Sequence, residues 1–393
     1  MQFKKANVPN RLMMRQQRYL RIVVFLSGLQ AGGAERVATR VCEWLSEAGH
    51  DVCLLTLDSV GNDFYSIPHG VTRIGLDETS PSKNLVHATF RNFIRLIKIR
   101  KEVKRWKADL VLSLCDTNNV LMLFALIGFN CRKVISERND PIQKTPSRFW
   151  QMTRRMAYPM AHLHVSQSDY VSKWLRGRYP NLRCVTIGNT AGSCPAYLRH
   201  RGSGLAENGV GLRIVTVGRL TEQKGMDIVL RALADARNKT KARLELYIVG
   251  GGEQLDSLKI LATQLGLSDD VKFRGMVSDI WDELAISDIF VLGSRWEGFP
   301  NVLVEAMSVG LPSITSKCKG GVEDILRSGF GVVALDYPPG DAAALSQAIV
   351  QLAESPKLRQ ELSIAGRNRA ADFSPEAIGS SWRRVLEALC FEG

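Results

Sequence analysis

The sequence predicts an α/β protein built from two Rossmann-like domains, each a parallel sheet covered by helices on both faces. Three observations lead to this prediction. The chain of 393 residues is longer than one ordinary hydrophobic core accommodates. Short continuous apolar runs alternate with segments of helical periodicity, which is typical of parallel sheets buried on both faces. A glycine-rich stretch around residues 191–211 without sustained periodicity separates two such series.

The composition is that of a folded soluble protein, with 45% hydrophobic and 23% charged residues. The longest apolar segment, 120–129, is about half a membrane span and is better interpreted as a buried helix. The eight cysteines are scattered without a C-x-x-C pair, which argues against a zinc site and favours a reducing compartment. Because no secretory signal is recognisable, we expect a cytoplasmic protein.

The formal net charge of +13 is concentrated in the first half of the chain. Residues 1–200 contain 30 Lys and Arg against 14 Asp and Glu, whereas residues 201–393 contain 22 against 25. The first half is therefore expected to face an anionic partner. Nucleic acid is excluded as that partner, because the chain contains no nucleic-acid-binding motif and no basic strand interleaved with aromatic residues.

The first domain is predicted over residues 1–190. Residues 21–27 form an apolar run expected to be a buried strand, and a helix is expected over 34–48. Gly32 and Gly33 lie between them, where a glycine turn leads into a helix and favours anion binding. Further strands are predicted at 52–58, 109–114, 133–137, 162–168 and 184–189, and further helices near 85–106, 118–127, 147–160 and 168–176.

A hinge linker is assigned to residues 191–211 and the second domain to residues 212–372. The last segment, 373–393, is expected to be a C-terminal helix, because Ser374 and Pro375 supply a cap and a proline at the first helical position. Strands of the second domain are predicted at 212–218, 244–250, 271–275, 288–293 and 312–315.

The segment 295–310 contains two glutamates that flank a helix start. Glu297 lies in a loop, Asn301 is expected to cap the following helix, and Gly310 is expected to end it. Glu305 falls about one turn inside this helix. The free N–H groups of a helix start favour a phosphate or sugar oxygen, and carboxylates accept hydrogen bonds from hydroxyls. The alternative is an amphipathic surface helix that happens to carry two acids.

Arg219 and Lys224 follow a predicted strand and open a helix. A planar guanidinium and a point charge suit the binding of a diphosphate, although two solvated cations on a loop are the alternative. We favour the diphosphate site, because the two glutamates lie in the same domain. No D-x-D motif occurs in the chain, so we predict catalysis without a metal ion or other cofactor.

Five segments form a specific combination: GGAERV (32–37), VGRLTEQKG (217–225), IVGGGE (248–253), SRWEGFPNVLVEAMSVGLP (294–312) and KGGVEDIL (319–326). Together they resemble the retaining glycosyltransferases of the family 4 type, which have the GT-B fold of two Rossmann-like domains facing across a cleft. The resemblance implies a nucleotide-sugar donor bound by the second domain, retention of anomeric configuration and no bound metal. It also implies that the last helix crosses back to the first domain.

The resemblance implies roles for the matching residues. Glu297 would hold hydroxyls of the donor sugar, Glu305 the ribose, and the glycine pair 32–33 would face the donor phosphates across the cleft. Arg274 and Met276 lie where the family's loop meets the base, with an ordinary strand end as the alternative. The predicted catalytic residues are Glu297, Arg219, Lys224 and Glu137. The predicted donor site comprises Gly32, Gly33, Gly218, Arg219, Lys224, Arg274, Met276, Glu297, Gly298, Phe299, Pro300, Asn301, Val302 and Glu305.

The acceptor side departs from the family pattern. Many members carry a histidine just after a strand of the first domain, whereas the segment 135–141 here has none. Polar residues at the carboxyl end of a strand lie where an open α/β sheet places its site. We therefore expect Glu137 or Arg138 to replace the histidine, with Asn139 beside them. The alternative is an ion pair or a capping turn before Pro141.

Residues 90–107 are predicted to form a basic amphipathic helix with eight Lys and Arg and a single acid. Such a helix can lie on an anionic membrane surface, and we expect peripheral association with the inner face of the cell membrane. The alternative is a surface helix that packs its apolar stripe on the sheet. The cations assigned to the membrane are Arg91, Arg95, Lys98, Lys101, Lys104 and Arg105.

The function predicted from the sequence is transfer of a hexose or N-acetylhexosamine from a nucleotide sugar to a glycan acceptor. A lipid-linked acceptor on a polyprenyl diphosphate fits the membrane interpretation and bacterial surface-polysaccharide assembly. The segment 135–141 resembles bacterial transferases that use UDP-linked N-acetylhexosamines, which favours UDP. The alternatives are a GDP-mannose-dependent mannosyltransferase, a nucleotide-sugar epimerase of the same architecture and a non-catalytic nucleotide-sugar-binding regulator.

Overall fold

A computed structural model describes residues 19–79, 85–138, 147–192, 195 and 211–391, without the side chains of 85–89. Asn139 and most of the predicted hinge linker, 191–211, lie outside these residues. The strands are β1 (Arg21–Leu26), β2 (Asp51–Thr56), β3 (Val71–Gly75), β4 (Leu110–Leu114), β5 (Arg132–Glu137), β6 (Leu163–Ser166), β7 (Cys184–Thr186), β8 (Leu212–Val217), β9 (Leu244–Val249), β10 (Val271–Gly275), β11 (Ile289–Leu292), β12 (Ser313–Ser316) and β13 (Leu335–Tyr337). The helices are α1 (Gly33–Glu47), α2 (Leu85–Trp106), α3 (Asp116–Ala125), α4 (Arg148–Ala157), α5 (Asp169–Arg178), α6 (Met226–Arg237), α7 (Leu255–Gln264), α8 (Ile280–Ala285), α9 (Asn301–Ser308), α10 (Val322–Leu326), α11 (Ala342–Glu354), α12 (Pro356–Ala371) and α13 (Pro375–Phe391).

Two parallel sheets organise the described part of the chain. One has the strand order β3-β2-β1-β4-β5-β6-β7 and the other β10-β9-β8-β11-β12-β13. The predicted α/β fold with two Rossmann-like domains is confirmed. Strand order reverses between β1 and β4 in the first sheet and between β8 and β11 in the second. At such a switch point the connecting loops diverge on opposite faces and leave a crevice at the carboxyl edge of the sheet.

Two edge strands, β3 and β13, were not predicted from the sequence. Neither contains a run of fully buried apolar residues, because β3 is half-buried or exposed throughout and β13 buries only Tyr337. The other predicted strands and helices are confirmed to within a few residues at their ends. Continuous apolar runs therefore identify the central strands of these sheets, whereas the edge strands β3 and β13 carry no such run.

The predicted cap of α9 is wrong in detail. Pro300 occupies the capping position, no described side chain caps the helix, and Asn301 is its first residue. The Asn301 side chain is engaged elsewhere, because its Oδ1 accepts a hydrogen bond from Asn189 Nδ2 at 3.0 Å. Gly310 ends the helix as predicted, with a φ of 77°.

Half of the predicted membrane-facing cations of α2 are turned towards the protein. Arg91 is buried, and its Nη2 lies 3.1 Å from Glu78 Oε2. Lys98 Nζ lies 2.7 Å from Glu78 Oε1, and Arg95 donates to the Glu78 carbonyl. The assignment of Arg91 to a membrane is therefore corrected, since it is buried against the loop after β3. Arg95 and Lys98 stay partly exposed, and their assignment remains a prediction. The remaining cations, Lys101, Lys104 and Arg105, are exposed. No described helix is long and apolar enough to cross a membrane.

The C-terminal helix α13 packs on α1 of the first domain, as the family resemblance implies. Gly379 lies against the Trp44 indole, and Glu387 Oε1 is 3.1 Å from His50 Nε2. Trp382 is among the most completely buried large side chains, with 1% of its surface exposed. One apolar cluster consequently extends through both domains.

Close packing of α13 on α1 predicts that Gly379→Ala lowers the melting temperature. A Cβ at this position would lie 2.8 Å from the Trp44 ring, and overpacking of this kind costs about 1–3 kcal/mol. The matched control is Gly177→Ala in α5, where a Cβ has no atom of the described residues within 4 Å. There the helix propensity of alanine should raise stability by up to about 1 kcal/mol. Thermal unfolding followed by circular dichroism measures the melting temperatures of both variants. Equal shifts in melting temperature would contradict the predicted contact.

Candidate active site

A cleft of about 550 Å³ lies between the two domains. Its walls are the loops after β1, β4, β5, β6 and β7 on one side, and the loops after β8 and β11 with the start of α9 on the other. Both switch points therefore open onto the same cleft, which is where doubly wound sheets place their ligands.

An ion pair between Lys224 and Glu297 lies in the wall of this cleft. Lys224 Nζ is 2.5 Å from Glu297 Oε1, which also accepts a hydrogen bond from Ser294 Oγ. The Glu297 side chain is 6% exposed and that of Lys224 16%. A carboxylate so far removed from water requires a charged or hydrogen-bonding partner. The two residues that the sequence predicted to share a site are thus brought together.

The loops carrying this pair are held against each other by backbone contacts. Gly225 adopts a left-handed φ of +59°, and a Cβ there would lie 2.2 Å from the Gly293 carbonyl oxygen. Arg295 donates its backbone N–H to the Gln223 carbonyl at 2.8 Å, and its side chain pairs with Asp227. No side chain fits at residue 225, so the loop after β8 can lie directly on the loop after β11.

Glu305 is a second buried carboxylate of the second domain, and it faces the first domain. It is 5% exposed, and its Oε1 accepts a hydrogen bond from the Gly192 N–H at 3.4 Å. Arg36 Nη1 of α1 lies 3.8 Å from the same oxygen. Burial raises the pKa of Glu305, and Arg36 opposes this shift. Glu305 therefore links the two walls of the cleft.

The predicted phosphate-binding residues are distributed around the cleft. Gly218 and Arg219 line it, and Arg219 is exposed. Gly33 lines it from the opposite wall as the first residue of α1. Gly32 precedes α1 and lies outside the lining, where its carbonyl accepts a hydrogen bond from the Tyr65 hydroxyl. Cations and helix N–H groups thus face one another across the cleft, an arrangement suited to an anion.

The loop from Gly298 to Val302 lines the cleft throughout, as the resemblance implies. Phe299 is 7% exposed and packs edge-on against Phe373, with ring centroids 5.5 Å apart. Pro300 and Asn301 follow at the start of α9. Burial of the aromatic ring therefore anchors the loop, while its backbone remains at the cleft.

Arg274 and Met276 lie outside the lining of the cleft. Arg274 Nε is 2.9 Å from Glu283 Oε1. Met276 is 86% exposed and lies beside Gly251. Their assignment to the nucleotide base remains a prediction.

On the first-domain side, Arg138 lines the cleft at the end of β5. Its Nη1 donates to Asn189 Oδ1 at 2.9 Å, and its guanidinium carbon lies 5.3 Å from the centre of the Trp382 ring. Burial lowers the pKa of Arg138 to about 10. The predicted replacement of the family's histidine by a polar residue at this strand end is thus compatible with Arg138.

Glu137 does not line the cleft, and its predicted catalytic and acceptor-side role is corrected. Neighbouring side chains of a strand point to opposite faces, and Glu137 points into the core, where it is 1% exposed. Its carboxyl accepts a hydrogen bond from the Tyr158 hydroxyl. Burial raises the pKa of Glu137 to about 7, against the effect of this hydrogen bond.

Gln167 and Asn189 also line the cleft, and the sequence analysis missed both. They follow β6 and β7 at the carboxyl edge of the sheet. The rule that site residues gather at this edge could have indicated them.

Both domains match known families. Residues 204–369 match the family described as glycosyl transferases group 1, and residues 31–190 match glycosyltransferase family 4. This chain belongs to the family 4 type of glycosyltransferases. It is therefore an enzyme, a hexosyltransferase, and it acts in polysaccharide or glycan biosynthesis.

Two curated relatives cover nearly the whole glycosyltransferase chain. One is an α-1,4-N-acetyl-D-galactosaminyltransferase of Campylobacter jejuni, named for a GalNAc-containing acceptor on PP-undecaprenol. It is 24% identical over 371 residues, covering 93% of this chain and 98% of the relative. The other is the amylovoran biosynthesis glycosyltransferase AmsD of Erwinia amylovora, 24% identical and covering 93% of this chain and 99% of the relative.

Solved structures share the fold of this glycosyltransferase. HepE of Anabaena, in complex with UDP and glucose, is 19% identical with a TM-score of 0.71, covering 94% of this chain and 100% of that one. A sucrose-phosphate synthase of Thermosynechococcus elongatus is 20% identical with a TM-score of 0.77, covering 95% of this chain and 99% of that one. The predicted GT-B fold is confirmed.

The buried carboxyl of Glu137 predicts a specific pH dependence of stability. Its folded-state pKa of about 7 lies above the ordinary 4.5, so the neutral form is favoured on folding. This contribution is fully present below pH 4.5 and is lost as the pH rises to about 7. Relative to Glu137→Gln, the wild type should lose up to about 3 kcal/mol of unfolding free energy over this range.

Urea denaturation at several pH values measures this difference. Tyr158→Phe removes a hydrogen bond that lowers the pKa of Glu137. The pKa of Glu137 should therefore rise further, and the decrease in unfolding free energy should extend to higher pH. Parallel stability profiles for the wild type and Glu137→Gln would contradict the buried carboxyl.

Proposed function

We propose that this glycosyltransferase moves a hexose or N-acetylhexosamine from a UDP-linked donor to a glycan on a polyprenyl diphosphate, retaining the anomeric configuration. The observation that carries the proposal is the convergence of Arg219, Lys224, Glu297 and Glu305 on one interdomain cleft. The undecaprenol-linked acceptor named for the C. jejuni relative supports the acceptor class. The UDP complex of HepE supports the nucleotide.

The proposed reaction exchanges one bond at the anomeric carbon. The bond from this carbon to the diphosphate oxygen breaks, a bond to the acceptor hydroxyl oxygen forms, and the acceptor proton passes to the departing phosphate. Arg219 and Lys224 stabilise the negative charge that develops on the diphosphate. The N–H groups at the start of α9 add to this stabilisation. Because these groups can stabilise the leaving group and no D-x-D motif occurs in the chain, we propose that the reaction needs no metal ion.

The two buried carboxylates have separate proposed roles. Glu297 accepts hydrogen bonds from hydroxyls of the donor sugar, and its contact with Lys224 holds the side chain in place. Glu305 lies about one turn into α9 and accepts hydrogen bonds from the ribose hydroxyls. In this arrangement each acid orients one sugar ring of the donor, and the cations hold the diphosphate between them.

Removal of either member of the ion pair should abolish transfer. We expect Lys224→Ala and Glu297→Ala to lower kcat/KM by at least about 100-fold, with the fold retained. Lys317→Ala is the control, because Lys317 forms an exposed pair with Asp336 away from the cleft. The assay offers UDP-sugars and GDP-mannose to the enzyme with a short polyprenyl-diphosphate glycan.

The same assay separates the proposal from its competitors. Full activity of either cleft variant would refute the site, and preference for GDP-mannose would change the donor. Rearrangement of the sugar without acceptor would instead show an epimerase. Tight donor binding without turnover would show a nucleotide-sugar-binding regulator.

We also propose peripheral association with an anionic membrane surface, through α4 rather than through the α2 cations that contact Glu78. Phe149, Met152 and Met156 are each more than half exposed and recur at helical spacing on α4. Arg148 and Arg155 are exposed on the same helix. Apolar side chains with flanking cations are typical of helices that lie in a membrane interface.

The neighbouring helices strengthen this membrane proposal. The helix α3 packs against both α2 and α4, so the three form one layer. Phe93 and Ile97 of α2 are also exposed in this layer, at 60% and 51%. The exposed cations of α2, Lys101, Lys104 and Arg105, add positive charge to it. An enzyme held in this way would reach a lipid-anchored acceptor without diffusing through bulk solvent.

Charge reversal on α4 should weaken membrane binding. Arg148→Glu with Arg155→Glu should reduce co-sedimentation with vesicles containing phosphatidylglycerol, since each cation contributes about 1 kcal/mol near such a surface. Lys357→Glu in the second domain, where the side chain is 87% exposed, is the control and should bind like the wild type. Unchanged sedimentation of the α4 variant would refute the surface.

A further inference from the structure

Gln167 is a buried amide in the wall of the cleft. It is 2% exposed, and its Nε2 has no hydrogen-bond partner among the described residues. It follows β6 directly, and the next residue, Ser168, caps α5 by accepting from the Val171 N–H. Its backbone is therefore fixed between a central strand and a capped helix.

An unpartnered buried amide is unusual in a folded protein. Buried polar side-chain atoms nearly always find a partner in the protein or in a ligand, because leaving one unpaired costs free energy. Unsatisfied groups of this kind gather in sites where a ligand supplies the missing partner. Since Gln167 lines the cleft, a ligand in the cleft can supply it.

The neighbours of Gln167 indicate which part of a ligand it would contact. A Cβ on Gly298 would lie 2.4 Å from Gln167 Nε2, so the amide rests against the backbone next to Glu297. The cations Arg219 and Lys224 lie on the second domain and account for the diphosphate. A neutral amide offers one donor and one acceptor group, which suits a sugar hydroxyl or an acetamido group rather than a phosphate.

We propose that Gln167 is a specificity-determining residue that hydrogen-bonds a hydroxyl or acetamido oxygen of the transferred sugar. This inference rests on the proposed function and extends it, because it names a first-domain contact to the donor sugar. Binding of the sugar then gives the buried amide its partner. A donor whose sugar lacks the matching oxygen leaves the amide unpaired and is rejected.

The test compares wild type with Gln167→Met, which keeps the length of the side chain and removes the amide. Calorimetry measures the affinities for UDP, UDP-GlcNAc, UDP-GalNAc, UDP-glucose and UDP-galactose, and transfer assays measure kcat/KM for each donor. The variant should bind UDP as the wild type does. Its discrimination between the best and the next donor should fall by about 10- to 100-fold. Gln264→Met, at an exposed position of α7, is the matched control and should retain wild-type discrimination.

A second variant tests the same contact without altering Gln167. Gly298→Ala would introduce a Cβ against the amide nitrogen, and the flexible end of Gln167 should move aside. Its loss of discrimination should therefore be non-additive with that of Gln167→Met in a double-mutant cycle. Additive effects would show that the two residues act separately and would overturn the contact.

The outcomes separate this inference from the proposed function. If the wild type binds no UDP-sugar and transfers none, the proposed function fails and the inference falls with it. If the wild type discriminates among donors and Gln167→Met retains that preference, the inference alone is overturned. A variant that loses affinity for UDP as much as for UDP-sugars shows a structural role, which also overturns it.

Discussion

The carboxylate of Glu297, buried at the edge of a sheet, is the constraint on which this cleft depends. Such a group is stable only with a partner, and Lys224 and Ser294 supply it. The partners come from the loops after β8 and β11, which are neighbouring strands at the switch point of the second sheet. Because parallel strands end at one edge, residues more than 70 positions apart in sequence meet there. The left-handed backbone of Gly225 allows the close approach that this pairing needs.

The first domain completes the cleft by a different principle. Its polar residues are placed by strand alternation, which turns Arg138 towards the cleft and Glu137 into the core. Trp382 of α13 stacks on Arg138, so the last helix of the chain supports a residue at the end of β5. Asn189 contacts both Arg138 and Asn301 and thereby joins the two walls. The helix α13 therefore positions a cleft residue, Arg138, in addition to packing the two domains together.

The cations of the first domain fall into two groups: some pair with acidic residues of the fold, and others are exposed on its surface. Three cations of α2 contact Glu78 in the loop after β3. Lys98 and Arg91 lower the pKa of Glu78, although burial opposes this shift. These cations stabilise the fold, and of the three only Arg91 is buried, because Arg95 and Lys98 keep part of their side chains exposed. The exposed apolar and basic side chains of α4 are the better candidates for a lipid surface, since nothing within the described chain covers them. The net charge of the sequence could not tell cations that pair within the fold from cations that are exposed on the surface.

The sequence by itself determined the two-domain α/β class and the central strands, and it predicted one site for Lys224, Glu297 and Glu305, which line one cleft in the structure. Continuous apolar runs and glycine-bounded motifs are local, so they can be recognised without knowing what packs on them. Only the tertiary structure decided that Glu137 is buried, that the α2 cations pair with Glu78, and that Gln167 lines the cleft. It also revealed the edge strands β3 and β13. These features depend on contacts between residues distant in sequence, and a local pattern cannot specify the partner of a side chain across the fold.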